Sequence, residues 1–168
     1  GFLSRNTAKT VATISNSVAL NAQLNAANLG LHTINNYKNL ETAVINEMEL
    51  RQEMKDRNSE IKLLIKKLAN KMNIKNFIIT RGKNGLIYYD RMKNNYIKCP
   101  AFASDIVDKI GAGDAMLSIL SLAFKAGLDK HLSLLLGSLA AAQSVESMGN
   151  STSVDKDKIL KVIQNLIK

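Results

Sequence analysis

Asp108-Lys109-Ile110-Gly111-Ala112-Gly113-Asp114 runs directly into the apolar stretch Ala115–Ala126. The small residues Gly111, Ala112 and Gly113 let a ligand approach the backbone closely, and Asp114 falls in the first turn of the helix that begins there. A helix N-terminus carries unpaired N–H groups and partial positive charge, so it attracts anions, and a carboxylate beside a bound anion can serve as a base. An anion cradle with a base is the minimum that phosphoryl transfer requires. The same residues also suit an ordinary helix start. Glycines are common before helices, and an aspartate in a first turn is favourable without any chemistry.

The residues after this stretch read as helices. Ala115–Ala126 is apolar almost all round, the pattern of a fully buried helix, and Gly127 ends it. His131–Met148 forms a second helix, rich in small residues at Gly137 and Ala140–Ala142, with Gly149 as its stop. Asp155 and Asp157 open a last helix with the apolar face Ile159, Leu160, Ile163, Leu166 and Ile167.

Before the stretch, strands alternate with helices. The end of a helix near Thr10 leads to a short strand around Val18–Ala22, and the polar run to Gly30 is loop chemistry. Thr42–Ile45, bounded by Asn46, reads as a strand that hands over to a helix at Glu47–Met54. Ile61, Leu64, Ile65, Leu68 and Met72 share one helical face, with Asn58 or Ser59 as N-cap. Phe77-Ile78-Ile79 is a buried strand and Thr80-Arg81-Gly82-Lys83-Asn84-Gly85 a turn. Leu86–Tyr89 and Tyr96–Cys99 pair as a hairpin around Arg91–Asn95, with at most one of Tyr88 and Tyr89 facing the core. The pattern predicts an α/β sheet layered by helices.

Composition narrows the function classes. The 168 residues suffice for one domain or a large part of one. Cys99 is the one cysteine, which excludes an internal disulfide and a multi-cysteine zinc site and fits a reducing, cytoplasmic compartment. No apolar run has the length of a membrane span, and the N-terminus lacks a signal-peptide core. The formal charge of +9 comes from scattered lysines, among them Lys66, Lys67, Lys71, Lys75, Lys83, Lys93, Lys98, Lys156, Lys158 and Lys161. Scattered lysines predict solvated helix faces rather than a nucleic-acid or membrane partner, though the charge helps attract polyphosphates. A nucleic-acid binder would instead show strongly salt-dependent affinity for polyanions. His32 and His131 stand far apart, no Gly-x-x-x-x-Gly-Lys-Ser/Thr is present, and no serine is singled out for a triad. Asp155-Lys156-Asp157 reads as first-turn acids, and Cys99 as a packed small residue.

Three polar signatures fall at predicted strand ends or helix starts: Asn46-Glu47-Met48-Glu49, Thr80–Gly85 and Asp108–Asp114. In open α/β sheets, ligands bind beyond the carboxyl ends of the strands. The Gly-Ala-Gly-Asp core, the Asn-x-x-Glu pattern and Thr-x-Gly-x-x-Gly resemble, in order and spacing, the PfkB or ribokinase-like family of sugar kinases. The stretch from Asn21 to Gly30 is similar to a subgroup that fuses such a kinase to a nucleotidyltransferase, as in the heptose kinases.

The resemblance implies a ribokinase-like three-layer α/β fold with helices on both sheet faces, and ATP-dependent transfer of phosphate to a hydroxyl of a sugar or sugar phosphate. It makes Asp114 the base that takes the hydroxyl proton, and the backbone of Gly111, Ala112 and Gly113 the anion hole. Asn46 and Glu49 match the pair that organises Mg2+ through water. Thr80, Gly82 and Gly85 match the nucleotide-side loop, and Asp108 the aspartate that opens the glycine motif. ATP and Mg2+ are the implied cofactors, with K+ as a candidate activating ion.

Lys109 and Ile110 depart from the small or hydroxylated residues the family carries after that first aspartate, and Lys109 is expected to point to solvent. The family's N-terminal sugar-binding half and lid have no counterpart before Gly1. Residues 1–168 are therefore expected to be the C-terminal, nucleotide-binding portion of a kinase domain. Its expected partners are the small-molecule substrate, the N-terminal half or a fused nucleotidyltransferase, with a homo-oligomer also open. A non-catalytic nucleotide-binding module that regulates or scaffolds another protein is the alternative.

Overall fold

The computed structural model describes residues 5–15, 17–22, 34–103, 107–108, 110–146, 148 and 153–166. Two compact units share the chain: residues 1–81 with 86–98, and residues 82–85 with 99–168.

The first unit holds α1 (Arg5–Ile14), β1 (Ala19–Asn21), β2 (Thr42–Asn46), α2 (Glu47–Met54), α3 (Ile61–Met72), β3 (Asn76–Thr80), β4 (Leu86–Asp90) and nearly all of β5 (Asn95–Cys99). The sheet order is β1-β2-β3-β4-β5. β1 and β2 run parallel, as do β2 and β3, whereas β3 and β4 run antiparallel. The side chains of Ala43, Ile45, Phe77, Ile79, Ile87 and Tyr89 form a core with Leu50 of α2 and with Leu64, Ile65, Leu68 and Met72 of α3. That is the helical face expected from the spacing.

Three local expectations for this unit need correction. α3 begins after Glu60, which supplies no side-chain cap. Asn58 and Ser59 are engaged elsewhere, because their backbone N–H groups donate to Asp56 Oδ1 at 3.1 and 2.9 Å and the Ser59 hydroxyl to Asp56 Oδ2 at 2.6 Å. Asp56 thus forms a turn of its own, an arrangement that competes with capping. Tyr88 and Tyr89 are both buried, since β4 is buried on both of its faces. The Tyr88 hydroxyl meets its hydrogen-bonding need by donating to Asn76 Oδ1 at 2.8 Å, and the Tyr89 ring lies 4.6 Å from that of Tyr96. The strand near Val18 is three residues long, Ala19–Asn21; the polar run beyond Ala22 and His32 lie outside the described residues.

The second unit is helical: α4 (Ala112–Lys125), α5 (Lys130–Val145) and α6 (Lys156–Leu166). α4 and α5 pack so closely that a Cβ on Gly137 would come within 2.7 Å of Leu120 Cγ. α4 is not the fully buried helix its composition suggests. Only Met116, Leu120 and Ala123 are buried, and Leu122 is 69% exposed, because contact with α5 uses one side of the helix. α5 starts at Lys130, with Asp129 as N-cap, and ends at Val145, three residues short of Met148. On α6 Ile159 is buried and Ile163 half-buried, whereas Leu160 and Leu166 are exposed. Gly149 and Ile167 lie outside the described residues. The ten lysines named above are all exposed, as expected of solvated faces.

Candidate functional site

β2 and β3 end together. Asn46 and Thr80, their last residues, are register partners in the parallel pair, so two of the three sequence signatures start from adjacent strand ends. Asn46 is at once the end of β2 and the N-cap of α2. Its Oδ1 accepts from the Glu49 backbone N–H at 2.8 Å, and Glu49 Oε2 accepts from the Asn46 N–H at 2.7 Å. This reciprocal capping box satisfies two N–H groups that a helix start leaves open. It explains the Asn-x-x-Glu spacing in structural terms and fixes the Glu49 carboxylate, 8% exposed, beside the strand ends.

Three charged residues at this end of the first unit, Glu47, Arg51 and Arg81, have no role assigned from the sequence. Glu47 Oε2 accepts from Arg81 Nε at 2.8 Å, and Glu47 Oε1 accepts from Arg51 Nε at 3.0 Å. The Glu47–Arg51 pair spans one helical turn, a spacing visible in the sequence. The Glu47–Arg81 pair spans 34 residues and needs the register of β2 and β3 before it can be seen. Hydrogen bonding from Arg81 is the largest influence on Glu47 and, with Arg51, holds its carboxyl below the ordinary range against the opposing effect of burial.

In the second unit, Gly82–Asn84 forms a 3-10 turn that closes with the Gly85 N–H donating to the Gly82 carbonyl at 3.0 Å. Gly82 and Gly85 both have positive φ, +55° and +72°, which disfavours any side chain. They differ in surroundings. A Cβ on Gly85 would collide with the Cys99 carbonyl and come within 2.8 Å of the Pro100 carbonyl carbon, whereas one on Gly82 would meet open space. Cys99 itself is buried, its Sγ 3.4 Å from Ser138 Oγ, and burial pushes its thiol up.

The third signature also lies in this unit. The Asp108 and Val107 N–H groups both donate to the Val145 carbonyl at the end of α5, at 3.1 and 2.8 Å. Asp108 Oδ1 accepts from the Ile110 N–H at 3.0 Å, turning the chain towards Gly111. Lys109 lies outside the described residues. Gly111 adopts φ +86° as the N-cap of α4 and, having no side chain, leaves the first turn without a cap from that position. α5 and α6 differ: Asp129 and Asp155 accept from the first-turn N–H groups of their helices, which also accounts for the acidic start of α6. Ala112, Gly113 and Asp114 are the first three residues of α4, and the Asp114 residue is exposed. Such a turn presents N–H groups to an anion, with a carboxylate on the same turn.

Among the described residues no group of three or more His, Cys, Asp or Glu is placed to hold a metal ion, and no helix is long and apolar enough to cross a membrane.

Comparisons with known proteins agree with this architecture. The chain is 30% identical over 121 residues to the "Bifunctional protein HldE" of Campylobacter concisus, a match covering 70% of this chain and 25% of that protein. The corresponding protein of Campylobacter curvus is 30% identical over 94 residues, covering 56% of this chain and 19% of the relative. Among solved structures, Arabidopsis thaliana ribokinase complexed with ribose and ATP superposes with a TM-score of 0.77 at 20% identity, over 95% of this chain and 51% of that one. Phosphofructokinase-2 from Escherichia coli in complex with potassium gives 0.77 at 14% identity, over 99% and 54%. The chain therefore has the α/β ribokinase-like fold and spans about half the length of these two kinases. Residues 6–157 match the pfkB family of carbohydrate kinases, and the chain belongs to that family.

Proposed function

We propose that this chain is the C-terminal, nucleotide-binding portion of a kinase that transfers the γ-phosphate of ATP to a hydroxyl of a sugar or sugar phosphate. The observation that carries the reading is the start of α4. A glycine N-cap at φ +86° leaves the first turn without a cap from that position, and the exposed Asp114 sits on the same turn. Family membership supports the same reading.

In this mechanism the Asp114 carboxylate accepts the proton of the substrate hydroxyl as its oxygen attacks the γ-phosphorus. The bond between that phosphorus and the bridging oxygen of ADP breaks, and ADP leaves. The N–H groups of the Gly111–Gly113 segment donate to the oxygens of the transferring group, where charge is greatest in the transition state. Asp108 shapes the approach to that turn through its bond to the Ile110 N–H. Thr80, Gly82 and Gly85 belong to the nucleotide side, and the open space around Gly82 suits close approach by a ligand.

Asn46 and Glu49 are oxygen donors, the type Mg2+ prefers, but each already accepts a capping hydrogen bond. They fit an ion held through its water shell, with the capping box intact. Mg2+ bound there would neutralise charge on the phosphates. K+ is a candidate activator, as potassium is present in the phosphofructokinase-2 complex. A nucleotidyltransferase fused to the kinase would match the bifunctional relatives. We place the protein in the cytoplasm.

The test is Asp114→Asn in the full-length enzyme. We expect kcat to fall by roughly three orders of magnitude or more, with ATP affinity nearly unchanged. Unchanged turnover removes Asp114 from the role of base. The alternative is a nucleotide-binding module without turnover of its own that regulates or scaffolds another protein. ATP binding by this chain, with no sugar-dependent ADP release even after an N-terminal half is added, would favour the module.

A further inference from the structure

We propose that Arg81 grips the phosphate chain of the nucleotide and that Glu47 is the positioning residue that holds it ready. The proposal rests on the nucleotide-dependent reading above and assigns a ligand contact to Arg81, a residue of the Thr80–Gly85 signature that has no role assigned from the sequence.

The basis is how the two arginines around Glu47 use their donors. Arg51 spends its guanidinium on the protein. Nε and Nη2 meet Glu47 Oε1 at 3.0 and 2.8 Å, and Nη1 donates to the carbonyls of Arg57 and Ser59, both at 3.1 Å. It ties α2 to the loop that follows it. Arg81 spends only Nε, on Glu47 Oε2 at 2.8 Å. Its terminal nitrogens have no partner among the described residues, although its side chain is only 27% exposed. A guanidinium fixed through Nε keeps its planar fork free to meet two oxygens of one phosphate.

Location points the same way. Arg81 follows Thr80, whose register partner is Asn46, so the fork stands at the carboxyl ends of two parallel strands. The Glu47 carboxylate is shared by the two guanidinium groups, so Arg81 is held through one donor only. Glu47, held ionised by the same arginines, keeps the arrangement in place at neutral pH.

The test is calorimetric binding of ATP·Mg and of adenosine to this chain, as wild type, Arg81→Ala and Arg81→Lys. We expect Arg81→Ala to weaken ATP about tenfold or more while adenosine changes less than about twofold, because only ATP carries the phosphates. Arg81→Lys keeps the charge without the fork and should recover only part of the loss. A measurement on the wild type guards against a variant that fails to fold. Phenylglyoxal labelling, read by peptide mass, should show Arg81 shielded by saturating ATP·Mg and not by adenosine. Equal weakening of ATP and adenosine, unchanged ATP affinity in Arg81→Ala, or Arg81 labelling indifferent to ATP overturns the assignment and leaves the kinase reading standing. A wild-type chain that binds no nucleotide overturns that reading and this proposal with it.

Discussion

Asn46 and Thr80 are register partners at the ends of two parallel strands, so the residues that follow them leave the sheet side by side. That is why Glu47 and Arg81 meet at 2.8 Å despite lying 34 positions apart in the chain. The pairing gathers Asn46, Glu49, Thr80 and Arg81 at one end of the first unit, with the capping box and the Glu47 carboxylate as the ties.

Asn46 has a capping role that can be separated from any role towards phosphate. Asn46→Ala removes the acceptor for the Glu49 N–H and should cost about 1 kcal/mol of stability, read as a lower urea midpoint. Asn46→Ser keeps a capping oxygen and should restore most of that stability. If Asn46 acts on the nucleotide side only through the cap, ATP affinity recovers with it. An affinity that stays low assigns the amide a separate part.

The glycines should differ in their tolerance of a methyl group. Gly82→Ala meets open space and should cost only the positive-φ penalty, roughly 1–2 kcal/mol. Gly85→Ala adds a collision with the backbone of Cys99 and Pro100 and should lower the thermal midpoint considerably more. Gly137→Ala drives a methyl into Leu120 and should cost about 1–3 kcal/mol. Thermal melts of the three variants give the ranking directly.

Lys55 closes α2 at φ +51°, a conformation that asparagine adopts at Asn39, Asn73 and Asn94 but that lysine seldom does. Lys55→Gly removes that strain and gives part of the gain back through a more flexible unfolded chain. The expected balance is a stabilisation of about 0.5 kcal/mol, visible in denaturant titration.

Stability should respond to pH at both extremes. The Glu47 carboxyl lies below its ordinary value in the folded chain, so its contribution is present above that value and is lost as pH falls through the lower, folded one. The stability difference between wild type and Glu47→Gln should therefore shrink in acid. Burial chiefly raises the Tyr88 phenol, so its contribution is present below the ordinary tyrosine value and is lost as pH rises beyond it. Phenolate absorbance should appear late on alkaline titration and coincide with unfolding. An early phenolate signal from all four tyrosines would contradict the burial of Tyr88 and Tyr89.

What could be read in advance followed from local signals. The apolar run Thr42–Ile45, bounded by Asn46, makes both the end of β2 and the span Glu47–Met54 of α2 legible from sequence, whereas the capping box at Asn46 comes from the structure. The apolar spacing of α3 names its buried face correctly, because that face meets the sheet core directly. Burial set by neighbouring elements was not legible. Tyr88 and Tyr89 alternate like a strand with one wet face, but both are covered, and α4 is apolar all round while burying a single side. At the candidate site, the anion-attracting turn at Gly111–Asp114 has a local signature. The Glu47–Arg81 tie has none, since it exists only once two strands are aligned.

The strands follow one another across the sheet in the order in which they occur in the chain. Each strand after the first can join the edge left by its predecessor, and none has to wedge between two already paired. Such a sheet can be assembled progressively, β1 through β5, with modest loop closures at every addition. Growth in sequence order also suits a chain that emerges gradually during synthesis, because each new strand finds its partner already made.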